Sequence, residues 1–190
     1  MNKKELRKIY KEKRKAILPK DKLKMDDLML IQFQQLYFEA SVKTLLTYWP
    51  MATMNEPNMQ LYTSYLRHTI PNLQIAYPVA DFSTCSMQAW LINEKTVYHT
   101  NSFGVTEPRE GTAISADKID IVFVPLLACD KSGCRVGYGK GFYDKYLAKC
   151  HQAIISIGFN YFDPVDNIDD ANDFDVPLNY CIMPERIYEF

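Results

Sequence analysis

The sequence predicts an α/β fold, a single compact three-layer domain with a mostly parallel or mixed central sheet and helices on both faces. Short apolar runs alternate with helix-like segments along the chain, as they do in sheets that are covered by helices. The most apolar run, residues 119–124, leads into a glycine-rich loop and then into the start of a helix. No proline- or glycine-rich linker divides the 190 residues, so we expect residues 1–190 to form one domain.

Two helices are expected at the start of the chain. Apolar side chains recur at helical spacing from Leu6 to Ile17, which predicts an amphipathic helix over residues 2–17. A break at Pro19 follows, and the apolar positions beyond it predict a second helix over residues 21–39.

Strands and helices alternate in the rest of the chain. Residues 44–49 form an apolar run that ends at Pro50, and Pro57 is typical of the first turn of a helix that reaches His68. The remaining expected elements are strands over 73–79 and 87–92, an irregular polar segment over 94–118, a strand over 119–124, a helix over 142–150, and strands over 153–158 and 180–183.

Composition limits the possible functions. The formal net charge is −1 and the hydrophobic content is 47%, which is typical of a globular domain without a general affinity for nucleic acid or anionic membranes. No apolar run approaches the ~20 residues of a membrane-spanning helix, and the basic N-terminus lacks the apolar core of a signal peptide. We therefore expect a cytoplasmic protein that binds neither nucleic acid nor a membrane. Separately from composition, we expect a monomer that acts on a small molecule.

The five cysteines predict neither a disulfide framework nor a zinc site. Their number is odd, no C-x-x-C pair occurs, and only three histidines are present. Cys129 and Cys134 flank the glycine-rich loop, where we expect small packed side chains with reduced thiols rather than nucleophiles.

The glycine-rich loop combines the features that a polyphosphate site needs. Closely spaced glycines let backbone N–H groups approach an anion, and the helix that follows adds its positive N-terminal end. Two loop cations would neutralise phosphate, and an acidic residue of the helix would hold a divalent cation. These residues are Arg135, Gly137, Gly139, Lys140, Gly141 and Asp144.

The loop matches neither of two common nucleotide-binding patterns. Gly141 stands where a Walker A loop needs a hydroxyl, and Cys134 stands where it needs its first glycine. A dinucleotide-binding pattern that begins at Gly137 fails at Phe142. A tight turn without a ligand is the alternative, and the two cations favour phosphate over it.

Cations of the first helix predict a second set of phosphate contacts. Lys3, Arg7 and Arg14 lie within roughly 40° of one another around a helix, because each residue turns it by about 100°. The helix that carries them would fold over the glycine-rich loop. A solvated charged face is the alternative, and a nucleic-acid patch is poorly supported because interleaved aromatic residues are absent.

Residues after the first strand suit a flat heterocyclic ligand. Ligands of open α/β sheets bind beyond the carboxyl ends of the strands. There Trp49 could stack on a ring, and Glu56 could accept two N–H donors from a pterin-like edge. Core packing of Trp49 and a charge near a helix N-terminus for Glu56 are the alternatives.

An acidic loop over residues 163–175 contains one carboxylate in a different setting. Asp175 lies between Phe174 and Val176, and a carboxylate with apolar neighbours often faces a partner cation. With Asp144 it would complete a magnesium site in which the metal keeps waters and phosphate oxygens. The other aspartates of the loop are typical of a solvated turn.

At four places in order, the sequence resembles the 5-formyltetrahydrofolate cyclo-ligase family, also called 5,10-methenyltetrahydrofolate synthetases. The resemblance spans nearly the whole chain, and its glycine-loop motif is specific. The four places are Lys3-Lys-Glu-Leu-Arg7 with Arg14, Tyr48-Trp-Pro-Met51 with Glu56, Arg135-Val-Gly-Tyr-Gly-Lys-Gly-Phe-Tyr-Asp144, and Phe174-Asp-Val-Pro-Leu178. Two departures are small: Phe142 stands where the family often has Tyr, and Lys145 stands where Arg is common.

The resemblance implies that ATP and Mg²⁺ drive the cyclisation of 5-formyltetrahydrofolate to 5,10-methenyltetrahydrofolate, with release of ADP and phosphate. Phosphorylation of the formyl oxygen would create a leaving group, and N10 would then close the ring. Carried over by position, the ATP contacts would be Lys3, Lys4, Arg7, Arg14, Arg135, Gly137, Tyr138, Gly139, Lys140, Gly141, Phe142 and Tyr143. The folate contacts would be Tyr48, Trp49, Met51, Glu56 and Tyr143, the magnesium ligands Asp144 and Asp175, and the catalytic residues Arg135, Lys140 and Tyr143.

Two other functions are open at this point. A phosphosugar isomerase or acyl-transferase relative could use a similar scaffold without ATP. A nucleotide- or nucleic-acid-binding module could use the basic first helix, and its binding would then depend steeply on salt. The near-neutral net charge counts against the second alternative.

Overall fold

The computed structural model describes residues 1–190 and contains four α-helices and twelve β-strands. The helices are α1 (Lys3–Lys15), α2 (Pro19–Phe33), α3 (Met59–Thr69) and α4 (Phe142–Leu147). The strands are β1 (Thr44–Leu46), β2 (Gln74–Asp81), β3 (Ser86–Leu91), β4 (Tyr98–Thr100), β5 (Thr106–Pro108), β6 (Thr112–Ile114), β7 (Ile121–Val124), β8 (Ala128–Cys129), β9 (Arg135–Val136), β10 (Ile155–Phe159), β11 (Tyr180–Ile182) and β12 (Ile187–Glu189). None of the helices has the length and apolar character that a membrane crossing requires.

Local sequence signals determine where the first two helices begin. The Asn2 side chain accepts a hydrogen bond from the backbone N–H of Glu5, and the Glu5 carboxylate accepts one from the backbone N–H of Asn2, so α1 begins with a capping box. Pro19 is the first residue of α2, where its missing N–H costs no helical hydrogen bond. Helix α2 ends earlier than the predicted residue 39, because the apolar side chains after Phe33 pack on the core from a loop.

One eight-stranded sheet forms the centre of the fold, in the order β12-β11-β10-β7-β1-β2-β3-β6. The strands from β11 to β2 in this order run parallel to one another. Antiparallel strands extend both edges, with β12 on one side and β3 and β6 on the other. The predicted α/β fold with a mixed sheet is therefore confirmed.

Helices cover both faces of the sheet, which confirms the predicted layers. On one face, Phe33 of α2 and Tyr62 of α3 pack against Phe123 of β7 and Phe159 of β10. The ring centroids of Tyr62 and Phe159 lie 4.1 Å apart in a stacked arrangement. On the other face α4 packs through Leu147, while α1 lies at the end of the sheet against β8 and β9.

The segment over residues 94–118, which was predicted to be irregular, contains three short strands, and that prediction is wrong for them. Strands β4 and β5 pair in an antiparallel hairpin, and β6 pairs with β3 at the edge of the main sheet. Each of these strands has three residues, too few for a visible alternation, and their cross-strand partners decide their conformation. Helix α4 is also shorter than the predicted 142–150.

A buried carboxylate joins α2 to α3 and to the residues that follow β10. Asp26 is 2% exposed. Its carboxylate accepts hydrogen bonds from the Lys22 ammonium at 2.6 Å, from the Tyr161 hydroxyl at 2.8 Å and from the Tyr62 hydroxyl at 3.3 Å. The backbone N–H of Asn58 also donates to it at 3.2 Å, so one acidic group satisfies four donors from three parts of the chain.

We expect Asp26→Ala to lower the free energy of unfolding by about 3 kcal/mol, because it removes the carboxylate that these donors share. Urea unfolding followed by circular dichroism measures the change. Asp27→Ala, at the exposed neighbouring position, is the matched control and should change the free energy by less than about 0.5 kcal/mol. Equal stability of the two variants would contradict the role of Asp26.

Candidate active site

A cavity of about 530 Å³ lies beyond the carboxyl ends of β1 and β7. Its walls come from α1, from the segment that follows β1, from β2 and β5, and from the loop between β9 and α4. The sequence-predicted residues that line it are Lys3, Arg7, Tyr48, Trp49, Met51, Glu56, Arg135, Gly137, Tyr138, Gly139, Lys140, Gly141, Phe142, Tyr143, Asp144 and Asp175. Only Lys4 and Arg14 of the predicted set are absent from its walls.

Two positions of the glycine-rich loop need glycine for their backbone conformation. Gly139 and Gly141 have φ angles of 94° and 71°, in the left-handed region that residues with a Cβ rarely adopt. The Arg7 guanidinium lies directly over Gly139, where an added Cβ would come within 3.2 Å of Arg7 Cζ. Arg7 Nε also donates a hydrogen bond to the Gly137 carbonyl at 2.9 Å. Helix α1 is therefore folded over the loop.

Arg135 is not an unpaired cation of the loop. It is 7% exposed, and its guanidinium donates hydrogen bonds to the Asp144 carboxylate at 2.8 Å and to the Val176 carbonyl. Burial lowers the pKa of Arg135, and the charge of Asp144 opposes that effect. Arg135 therefore holds Asp144 in place, and its charge is compensated before any ligand binds.

Lys3 is paired in the same way, whereas Lys140 is not. The Lys3 ammonium lies 2.6 and 2.5 Å from the two carboxylate oxygens of Asp175, and the two side chains are 14% and 15% exposed. Lys140 is exposed on the cavity wall and forms no ion pair. Among the expected phosphate-binding cations that line the cavity, Arg7 and Lys140 thus have no carboxylate partner, and Lys140 is the more exposed of the two.

Of the two carboxylates predicted to bind magnesium, Asp144 has a free oxygen for the ion, whereas Asp175 is occupied by Lys3. Asp144 Oδ1 accepts hydrogen bonds from Arg135 and from the backbone N–H of Val176, whereas Oδ2 has no protein partner. Both oxygens of Asp175 face Lys3. No three His, Cys, Asp or Glu side chains form a metal cluster, but Mg²⁺ in nucleotide sites commonly uses one or two carboxylates together with phosphate oxygens and waters. Asp144 Oδ2 is the atom that fits such an ion.

Glu56 is a buried carboxylate in the cavity wall. It is 3% exposed and accepts hydrogen bonds from the Tyr138 hydroxyl at 2.5 Å and from the backbone N–H of Met51 at 2.7 Å. Burial raises the pKa of Glu56, and these two hydrogen bonds oppose the rise. The alternative role at a helix start does not apply, because Asn58 caps α3 through the N–H of Leu61. Each carboxylate oxygen can accept a further N–H donor from a ligand.

The aromatic residues near Glu56 combine an exposed ring with neutral hydroxyls. Trp49 is 38% exposed, and its ring centroid lies 5.2 Å from that of Tyr98, so the indole is not part of the closed core. Burial raises the pKa values of Tyr48 and Tyr143 well above the ordinary value of tyrosine. Both phenols are therefore neutral and able to donate hydrogen bonds.

Lys4 and Arg14 lie away from the cavity. Lys4 faces solvent. Arg14 is 1% exposed, and its Nη2 donates a hydrogen bond to the Leu126 carbonyl at 2.8 Å. It lies about two helical turns beyond Arg7, which carries it past the loop and against the core. The structure thus places Lys3 and Arg7, but not Arg14, at the cavity.

Sequence reasoning missed the wall that the segment over residues 94–118 contributes. Glu107 of β5 is 4% exposed, and its carboxylate accepts hydrogen bonds from a backbone N–H of β2 at 2.7 Å and from the Asn101 side chain at 3.0 Å. Phe103 stacks on Phe82 with ring centroids 3.9 Å apart, and both rings line the cavity. The segment has no hydrophobic period, and an apolar Phe103 beside a glycine was the one sequence signal available.

Residues 1–165 match the sequence model of the 5-formyltetrahydrofolate cyclo-ligase family. The chain belongs to this family. The match includes α1, the glycine-rich loop and Asp144, and it ends before Asp175. It confirms the family resemblance that the sequence motifs indicated.

Members of the family from several organisms are similar to the chain. A 5-formyltetrahydrofolate cyclo-ligase of Mycoplasma genitalium is 38% identical over 69 residues, which cover 36% of this chain and 42% of that protein. One of Haemophilus influenzae is 38% identical over 82 residues, 41% of this chain and 43% of that protein. A mitochondrial one of Arabidopsis thaliana is 25% identical over 182 residues, 84% of this chain and 66% of that protein. The chain thus spans less than half the length of the first two relatives.

Two solved structures share the fold of this chain. A 5,10-methenyltetrahydrofolate synthetase from Mycoplasma pneumoniae has a TM-score of 0.76 at 25% identity, over 97% of this chain and 100% of that one. The NMR structure of the Aquifex aeolicus 5,10-methenyltetrahydrofolate synthetase has a TM-score of 0.81 at 20% identity, over 100% of this chain and 93% of that one. Both likenesses agree with the α/β architecture described above.

We expect Tyr138→Phe to raise the pKa of Glu56 by about one unit, because the hydroxyl donates to the ionised carboxylate and a phenyl ring cannot. Carbon-13 NMR of the glutamate carboxyls, with Glu56 assigned by Glu56→Gln, measures the shift. Tyr65→Phe, at a half-buried position outside the cavity, is the matched control and should leave it unchanged. A pKa of Glu56 in Tyr138→Phe that equals the original value would rule out this hydrogen bond as a stabiliser of the charge.

Proposed function

We propose that residues 1–190 act as one ATP- and folate-binding unit that converts 5-formyltetrahydrofolate to 5,10-methenyltetrahydrofolate, with Mg²⁺ present and with release of ADP and phosphate. Family membership supports the proposal, and one structural observation carries it. A single cavity joins the glycine-rich loop and its unpaired cation Lys140 to the segment that carries Trp49 and Glu56. We also propose that the enzyme is a monomer and that it works in the cytoplasm.

The loop end of the cavity suits the phosphate chain of a nucleotide. Bound ATP with Mg²⁺ would supply the phosphoryl group that turns the formyl oxygen into a leaving group, after which N10 closes the ring. Lys140 is available to compensate phosphate charge, because no carboxylate neutralises it. Arg7 holds the loop from above, and Arg135 fixes Asp144 so that one carboxylate oxygen faces no protein donor.

The other end of the cavity suits the pterin ring of a folate. The Glu56 carboxylate would accept N–H donors from the edge of the ring, and it is already oriented by Tyr138 and by the backbone N–H of Met51. The partly exposed indole of Trp49 would stack on the flat face. Tyr143 lines the same cavity as a neutral phenol and would donate a hydrogen bond at the junction of the two ligands.

The absorbance of methenyltetrahydrofolate in the near ultraviolet tests the proposal directly. The protein is mixed with 5-formyltetrahydrofolate and Mg-ATP, and the product band should grow only when ATP is present. A band that grows equally without ATP would contradict the proposed ATP dependence, whereas no product and no heat on titration with Mg-ATP would support the isomerase or acyl-transferase alternative. A protein that shows no product and no heat on titration with Mg-ATP, but binds RNA with a steep salt dependence, would support the nucleic-acid-binding alternative.

We expect Lys140→Ala to lower kcat on the order of 10²–10³-fold, because it removes the cation that compensates developing phosphate charge. Steady-state rates at saturating ATP and folate measure the effect. Lys149→Ala is the matched control, since Lys149 is exposed and lies outside the cavity, and its kcat should match that of the unchanged protein. An unaltered kcat in Lys140→Ala would remove Lys140 from the mechanism.

A further inference from the structure

Arg14 carries a buried positive charge that no contact described so far compensates. The residue is 1% exposed, and its Nη2 donates one hydrogen bond, to the Leu126 carbonyl. Its Nε and Nη1 are buried without a hydrogen-bond partner, and no carboxylate forms an ion pair with it. A guanidinium in this setting is costly unless a nearby charge of opposite sign stabilises it.

The cavity carboxylate Glu56 is a nearby group of opposite sign, although it forms no direct ion pair with Arg14. Burial raises the pKa of Glu56, and the charge of Arg14 opposes the rise after the hydrogen bonds of Tyr138 and Met51. Arg14 likewise opposes the effect of burial on the pKa of Tyr138. The backbone supports the same arrangement, because Asn55, the residue directly before Glu56, donates a side-chain hydrogen bond to the Arg14 carbonyl at 2.9 Å. The guanidinium therefore acts on the Glu56–Tyr138 pair from the core side.

We propose that Arg14 is a positioning residue for folate recognition. From the core side of the cavity wall, its charge keeps Glu56 ionised, so that both carboxylate oxygens accept N–H donors of the pterin. The identity of the ligand rests on the proposed function, and the Arg14–Glu56 coupling does not. Arg14 touches no ligand, because it lies outside the cavity. A protonated Glu56 would turn one oxygen into a donor that faces the donor edge of the ring, and one acceptor would be lost.

The other charged and titratable groups around Glu56 do not replace Arg14. The side chains that act on the pKa of Glu56 are Tyr138, Arg14 and Lys22. The charge of Glu56 in turn raises the pKa values of the neighbouring phenols Tyr48, Tyr143 and Tyr161. The phenols are neutral donors. Lys22 is the second cation, but its ammonium is already paired with Asp26 at 2.6 Å. Arg14 is thus the cation near Glu56 that is not paired with another carboxylate. Its guanidinium otherwise contacts the Leu126 carbonyl and the ring of Tyr161, whose centroid lies 5.9 Å from Cζ.

The first test measures the charge of Glu56 without any substrate. Carbon-13 NMR gives the pKa of Glu56 in Arg14→Gln, which removes the charge, and in Arg14→Lys, which keeps it. We expect a rise of about one unit in Arg14→Gln and a much smaller change in Arg14→Lys. Lys13→Gln, which removes an exposed cation of the same helix, should leave the value unchanged. An unchanged pKa in Arg14→Gln would overturn the proposal.

The second test separates positioning from a merely structural role through the pH dependence of KM for 5-formyltetrahydrofolate. If Arg14 acts through the protonation of Glu56, the KM of Arg14→Gln is about tenfold higher at the acidic end of the profile and approaches the original value at the alkaline end. Arg14→Lys restores most of the difference, and kcat at saturation changes by less than about twofold. A rise in KM that is the same at every pH would indicate loss of packing alone and would overturn the proposal.

A third variant decides the matter if Arg14→Gln does not fold. Glu56→Gln keeps the shape of the side chain and removes the charge that stabilises Arg14, so its thermal midpoint should fall. A midpoint that is unchanged or higher would overturn the proposal, because it would show that Arg14 does not depend on the Glu56 charge. Failure to form methenyltetrahydrofolate would refute the proposed function alone, since the NMR and thermal readouts use no substrate.

Discussion

The cavity depends on the contact between helix α1 and the glycine-rich loop. The guanidinium of Arg7 occupies the space that a side chain at Gly139 would need, and its Nε holds the Gly137 carbonyl. Lys3, one turn earlier on the same helix, pairs with Asp175 from a position 172 residues away. The first turns of the chain and the segment near its end therefore meet at one loop, and the cavity exists only when both have folded against it.

Paired charges organise the cavity before a ligand enters. The ion pairs of Arg135 with Asp144 and of Lys3 with Asp175 compensate charges that would otherwise be costly in half-buried positions. They also fix the side chains in place, so that a ligand meets a field that needs little reorganisation. The charges of Arg7 and Lys140 have no carboxylate partner, and Lys140 is exposed where the loop opens to the cavity.

Two buried carboxylates in the wall have different settings. Glu107 accepts one hydrogen bond from a backbone N–H of β2 and one from Asn101, and so joins the hairpin of β4 and β5 to the sheet. Glu56 instead accepts from a phenol and a backbone N–H, with the buried guanidinium of Arg14 behind it. Because its neighbours are a titratable donor and a cation, the charge of Glu56 responds to its surroundings in a way that suits a ligand-binding group.

The sequence by itself determined the features that contiguous residues encode. The alternation of strands and helices, the first helix and the glycine-rich loop before α4 depend on short-range sterics and hydrogen bonds, which local patterns report. Only the tertiary structure decided which charges pair and that β4, β5 and β6 form. It also placed Arg14, which was predicted to contact phosphate, in a buried position near Glu56. These outcomes depend on distances between residues far apart in the chain, and burial sets the strength of each charge interaction only once the fold has excluded water.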